Sequence, residues 1–234
     1  MKICIDPGHG GKDPGAISNG IKEKDITLGI AITLANKLRE KGLEVYMTRT
    51  SDTYDTPFKK AEKGNLSKSD LFVSVHCNSA NSITANGTEV LIYDINGVNE
   101  VLADNILCEV VKNLGTADRG IKLRPELDVL KHTEMTAILV ETAFISNSRE
   151  RDLLVYRQND FATAIAKGIF KYLGIDEEEK EVEFRYNNIE EVPEWAKSAV
   201  QKLIDKGKFA DINKLDLSYD MIRMIVILSW LYFL

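Results

Sequence analysis

The 234-residue chain is 44% hydrophobic and 28% charged, with 15 Gly and 5 Pro. That balance describes a packed globular protein and excludes collagen-like, low-complexity or largely disordered chains. A net charge of −6 excludes a generally basic surface, so no nucleic-acid partner is expected. Three cysteines, Cys4, Cys77 and Cys108, cannot all pair within the chain; no disulfide framework is expected, and a reducing compartment is the natural setting for folding.

At the N-terminus only residues 3–5 are apolar before Asp6-Pro7-Gly8, too few for the core of a secretory signal. The stretch reads as a first strand running into a loop, and the chain is expected to be made in the cytoplasm without a signal peptide. Further β-rich runs fall at 44–48, 71–75, 89–93 and 137–140. Helical stripes lie between them. Ile26, Ile30, Ala31, Leu34, Ala35 and Leu38 are followed by Gly42; Val98, Val101, Leu102, Ile106, Val110 and Leu114 by Gly115; Phe161, Ala164, Ile165, Gly168, Ile169 and Leu173 by Gly174. Alternating strands and helices predict an α/β domain over 1–174, a mainly parallel sheet flanked by helices.

Residues 176–183, DEEEKEVE, hold six acids against one Lys and so carry five of the six net negative charges. Such a self-repelling run predicts a solvated linker over 175–185. Beyond it, 186–234 read as a small all-helical module. Pro193 suits a first helical position, a stripe of Trp195, Ala196, Ala199, Val200, Leu203 and Ile204 ends at Gly207, and Ser218 suits the cap of a second helix. The apolar tail 224–234 is far shorter than the roughly 20 residues of a spanning helix, so a packed helix is expected in place of membrane contact.

Two of the three histidines, His9 and His76, each follow a run that reads as a buried strand. Parallel strands would bring both imidazoles to one sheet edge, where ligands bind in such folds. Glycines 8, 10, 11 and 15 surround His9, Glu23 begins the first long helix, and Glu141 ends the apolar run 137–140. Two imidazoles and carboxylates on one rim suit a divalent metal, zinc above others. Each residue also has a plainer reading: a structural histidine, a charge favourable to a helix start at Glu23, a partnered acid at Glu141. His132 lies in a polar stretch and reads as exposed. Cys77 points to the strand face opposite His76, which argues against a nucleophile dyad. The loop fails as a phosphate loop, because Asp6 and Asp13 occupy the positions of its first Gly and its Ser/Thr.

The blocks IDPGHGGKDPGA, EKDITLGIA, RTSD, DLFVSVHCN, RGIK and AILVETAFISN occur in this order between residue 2 and about 173. Together they resemble the zinc-dependent N-acetylmuramoyl-L-alanine amidases of the Amidase_3 family. The resemblance implies His9, Glu23 and His76 as ligands of one Zn2+, Glu141 as the catalytic carboxylate, and peptidoglycan as substrate. The bond cut would join N-acetylmuramic acid to L-alanine. Met135-Thr136-Ala137 stand where family members often carry a proline.

Residues 189–207 and 217–228 resemble an S-layer-homology module, which implies cell-wall binding; docking to form a homodimer is the competing expectation. A lytic enzyme made without a signal peptide is expected to reach the wall by holin-type release or cell lysis, as a phage or prophage endolysin or a sporulation autolysin. A zinc endopeptidase acting elsewhere in the stem peptide and a non-catalytic wall-binding protein are the alternatives in other classes.

Overall fold

In a computed structural model, which describes residues 1–95, 97–175, 185–209 and 211–231, the chain divides into two compact units, Met1–Asp176 and Glu177–Leu234. The acidic run 176–183 lies outside the described residues. The first unit follows the order β1 (Lys2–Pro7), β2 (Ile17–Ser18), β3 (Ile21–Lys22), α1 (Glu23–Glu40), β4 (Glu44–Met47), α2 (Pro57–Leu66), β5 (Leu71–Asn78) and β6 (Thr88–Ile92). It continues with α3 (Val98–Leu114), β7 (Asp118–Leu123), α4 (Asp128–Lys131), β8 (Thr136–Phe144), α5 (Ser148–Tyr156) and α6 (Gln158–Leu173).

Six strands form one sheet in the order β4-β1-β5-β8-β6-β7. Pairing is parallel except between β6 and β8, which run antiparallel. A mainly parallel sheet flanked by helices is therefore what the alternating pattern forms.

Side-chain alternation along the strands divides the core in two. Ile3, Ile5, Val73, Val75, Ile138 and Val140 face the larger cluster, with the buried stripes of α1, α3 and α6. Cys4, Phe72, Leu91, Ala137 and Leu139 face a smaller one with Val129 and Leu130 of α4. Three long helices thus cover one face, while the short α4 and α2 cover only part of the other. Asp6, Ser74, His76, Glu89 and Glu141 share the parity of that second face, beyond its apolar cover.

The predicted stripes fix α1, α3 and α6, with left-handed caps at Gly115 and Gly174. Val98 and Val101 depart from the expected stripe: both are about half exposed, while Asn99 and Leu102 take the buried side of the helix start. A hairpin joins β2 to β3 through Asn19 and Gly20, both at positive φ, the signature of a tight two-residue turn.

In the second unit, α7 (Glu194–Asp205) and α8 (Tyr219–Trp230) enclose Ala196, Val200, Leu217, Ile222 and Val226. Ser218 caps α8 by accepting from Met221 N at 3.2 Å. Pro193 is the residue just before α7, one place ahead of its expected position. Trp195, expected on the buried stripe, is half exposed and stands edge-on to Tyr219. A single bridge between Tyr186 and Leu217 adds a trace of β pairing to the helical unit. No helix among the described residues is long and apolar enough to cross a membrane.

Gly168 of α6 lets α3 approach closely: a Cβ there would lie 2.5 Å from Ile106 Cα. Gly168→Ala should lower stability by about 1–3 kcal/mol through overpacking, more than the helix-propensity gain of about 1 kcal/mol returns. A urea midpoint at or above wild type would disprove this close approach.

Candidate metal centre

β1 ends in a loop that the structure holds from below. Asp6 is fully buried, and Thr48 Oγ1 and Ser74 Oγ donate to its two oxygens at 2.5 and 2.7 Å. Lys60 Nζ of α2 stands 3.2 Å from Asp6 and donates to the carbonyls of Pro7 and His9 at 2.5 and 3.1 Å. Arg49 donates to Pro7 O at 3.1 Å, Gly8 O at 2.7 Å and Lys24 O at 2.9 Å. These bonds keep His9 at φ 59°, a left-handed conformation that costs a non-glycine residue about 1 kcal/mol or more.

So placed, His9 meets Glu23 and His76. His9 Nε2 lies 3.1 Å from Glu23 Oε1, and His76 Nδ1 lies 3.0 Å from the same oxygen. Cys77 N donates to it at 2.9 Å, while Ala16 N donates to Oε2 at 2.9 Å. The ligand atoms of His9, Glu23 and His76 all lie within 4.8 Å of one another. Two nitrogens and one carboxylate oxygen converging in this way suit zinc. Gly8 and Gly15 make room: a Cβ on Gly8 would meet the His76 ring at 2.5 Å, and one on Gly15 would meet His9 and Glu23 at 2.6 Å.

Glu141 is the Cα partner of His76 across β5 and β8, and of Glu89 across β6 and β8. Its Oε2 is sealed from solvent without a hydrogen-bond partner, a costly state for a carboxylate with no task. Burial pushes its pKa up to about 7, with Glu23 and Glu89 adding to the rise and His76 opposing it. Burial also pushes Glu23 up, but hydrogen bonds and charge from His76 and His9 outweigh it and hold that carboxyl far below the usual range. Burial depresses His9, and Glu23 and Asp13 more than offset this, so its pKa is raised.

A cleft of about 300 Å³ opens beside His9 and His76, walled by Pro57, Leu127, Val129 and Leu139. The sequence profile described as N-acetylmuramoyl-L-alanine amidase matches residues 3–171. The chain belongs to that amidase family.

Among similar proteins, the N-acetylmuramoyl-L-alanine amidase LytC of Bacillus subtilis (strain 168) is 38% identical over 176 residues, covering 73% of this chain and 35% of LytC. The endolysin of Bacillus phage SPP1 is 37% identical over 182 residues, covering 74% of this chain and 66% of the endolysin. The crystal structure of an N-acetylmuramoyl-L-alanine amidase from Clostridium difficile 630 superposes with a TM-score of 0.71 at 35% identity, covering 74% of this chain and 96% of that one. The chain is thus an amidase-family enzyme whose similarity to these relatives spans about three quarters of its length, and only about a third of LytC's.

All four residues singled out in the sequence stand together in this amidase fold. His132 does not join them; it is over a third exposed and meets the Phe58 ring edge-on at 5.0 Å. Cys77 is buried among the apolar residues of the opposite face, with its thiol pKa pushed well up by burial, so it is no nucleophile. The supporting residues Lys60, Arg49 and Asp6 carried no assigned role in the sequence. The signal for Arg49 was its place in the RTSD block; for Lys60 there was none, since a buried lysine looks like any surface one.

Removing Lys60 would leave Asp6 as an uncompensated buried charge. Lys60→Met should therefore cost about 3–5 kcal/mol, read from chemical denaturation at pH 7. A loss below about 1 kcal/mol would show that Thr48 and Ser74 alone suffice for Asp6.

Proposed function

We propose that this chain hydrolyses the amide between N-acetylmuramic acid and the L-alanine of the peptidoglycan stem, using zinc held by His9, Glu23 and His76. The observation that carries the proposal is the convergence of both imidazoles on Glu23 Oε1, at 3.1 and 3.0 Å, beside the orphaned Glu141 carboxylate oxygen. A zinc ion with three protein ligands keeps a coordination position open and supplies Lewis acidity towards a carbonyl and a lowered pKa for water.

The chain's own residues do the rest. Glu141, in register with His76 at the floor of the open face, takes the proton of the attacking water and hands it to the departing alanine nitrogen. Burial raises its pKa towards the neutral range, which favours accepting a proton and handing it on. Pro57, Leu127 and Val129 line the cleft and exclude water from one side of the scissile bond.

The proposed setting is bacterial cell-wall lysis of the endolysin kind, in keeping with the similarity to the SPP1 endolysin. We assign the second unit to wall attachment, on its S-layer-homology-like pattern. Dimer formation is the second reading, favoured by exposed apolar side chains at Met221, Met224 and Ile227 of α8 and at Leu231 just after it. Deleting 184–234 should abolish co-sedimentation with purified walls and leave the protomer number unchanged; the reverse result would favour the dimer.

Digestion of purified peptidoglycan should release glycan free of peptide and be stopped by a chelator. Mass spectrometry showing cleavage within the stem peptide would identify an endopeptidase, and no release at all a wall-binding protein. Glu141→Gln should keep one zinc per chain while turnover falls about 10²–10⁴-fold. Glu23→Ala should lose zinc, and full occupancy by elemental analysis would remove it from the ligand set.

A further inference from the structure

We infer that Asp13 is a positioning residue for the proposed metal centre: its carboxylate fixes the tautomer and ring orientation of His9 so that the bare Nε2 faces the metal. The inference rests on the zinc reading above and concerns a residue with no role in it. Asp13 Oδ2 lies 2.9 Å from His9 Nδ1. An ionised carboxylate only accepts, so Asp13 holds a proton on Nδ1, and Nε2, 3.1 Å from Glu23 Oε1, is the nitrogen left to give up its proton and offer a lone pair to a metal.

Asp13 is itself held. Its Oδ1 accepts from Gly15 N at 3.0 Å, and paired backbone bonds of 2.9 and 3.1 Å tie residues 10 and 13 together. The turn that carries His9 thus also carries the group that orients it, four residues on. The two imidazoles differ in this respect. His76 faces Glu23 through Nδ1, and among the described residues no carboxylate supports its other nitrogen. A carboxylate behind a metal-bound imidazole also raises its basicity, and losing such a partner typically weakens metal binding about 10–100-fold.

The test measures zinc affinity of the full chain by chelator competition, with 15N NMR of the imidazoles, of which the chain has three. Asp13→Ala should weaken zinc binding about 10–100-fold and destroy the Nδ1–H signature of His9, a readout that loss of the Gly15 bond alone would not move. Asp13→Asn, which can still accept from Nδ1, should recover part of the affinity. Zinc binding by Asp13→Ala within twofold of wild type, or a zinc-bound wild type with no proton on His9 Nδ1, would overturn this inference alone. A wild type that binds no zinc would overturn the metal reading and this inference with it.

Discussion

A fully buried carboxylate sits at the root of this structure. Asp6 ends the apolar run of β1, where a charge would be expelled were it not for Lys60, Thr48 and Ser74. Those three come from α2, the segment after β4, and β5, so satisfying one charge locks together elements that are distant in the chain. The ammonium that neutralises Asp6 also donates to the carbonyls of Pro7 and His9. Electrostatic compensation and loop geometry are therefore one arrangement, and His9 inherits its unusual backbone from it.

The fold then explains why the chemistry collects where it does. One face of the sheet is sealed by α1, α3 and α6, and the other is only partly covered by α2 and α4. Polar side chains at the carboxyl ends of β1 and β5 emerge on the half-open face, and Glu141 joins them from the middle of β8. Pairing in register sets His76, Glu141 and Glu89 side by side. Glu89 is held by Arg119 at 2.9 Å and by Asn78 at 2.8 Å, so one carboxylate of the row is satisfied and the other is left with an empty oxygen. That contrast is what the proposed catalytic role of Glu141 rests on.

Much of this was legible in advance. The apolar stripes of α1, α3 and α6 follow from spacing alone, because each must bury one face. The runs that became β1, β5 and β8 are nearly continuous in apolar residues, as strands buried on both faces must be. By contrast α2 left no trace. Its buried positions include Lys60, Ala61 and Gly64, and hydrophobic periodicity cannot see a lysine buried for its charge. Strand β7 escaped for the opposite reason: as an edge strand it is largely exposed and reads DRGIKL, with no apolar alternation to mark it.

What the sequence by itself determined was the inventory: two strand-end histidines, two carboxylates, glycines at the turn, and a family pattern joining them. It also set the α/β layering, since periodicity is a local property. Only the tertiary structure decided that His9 and His76, 67 positions apart in the numbering, reach the same carboxylate oxygen, and that Glu141 is left without a partner beside them. Those facts depend on strand order, register and the sign of one backbone angle. Such quantities are fixed by the burial of Asp6 and the packing of distant segments, and no local pattern of residues encodes them.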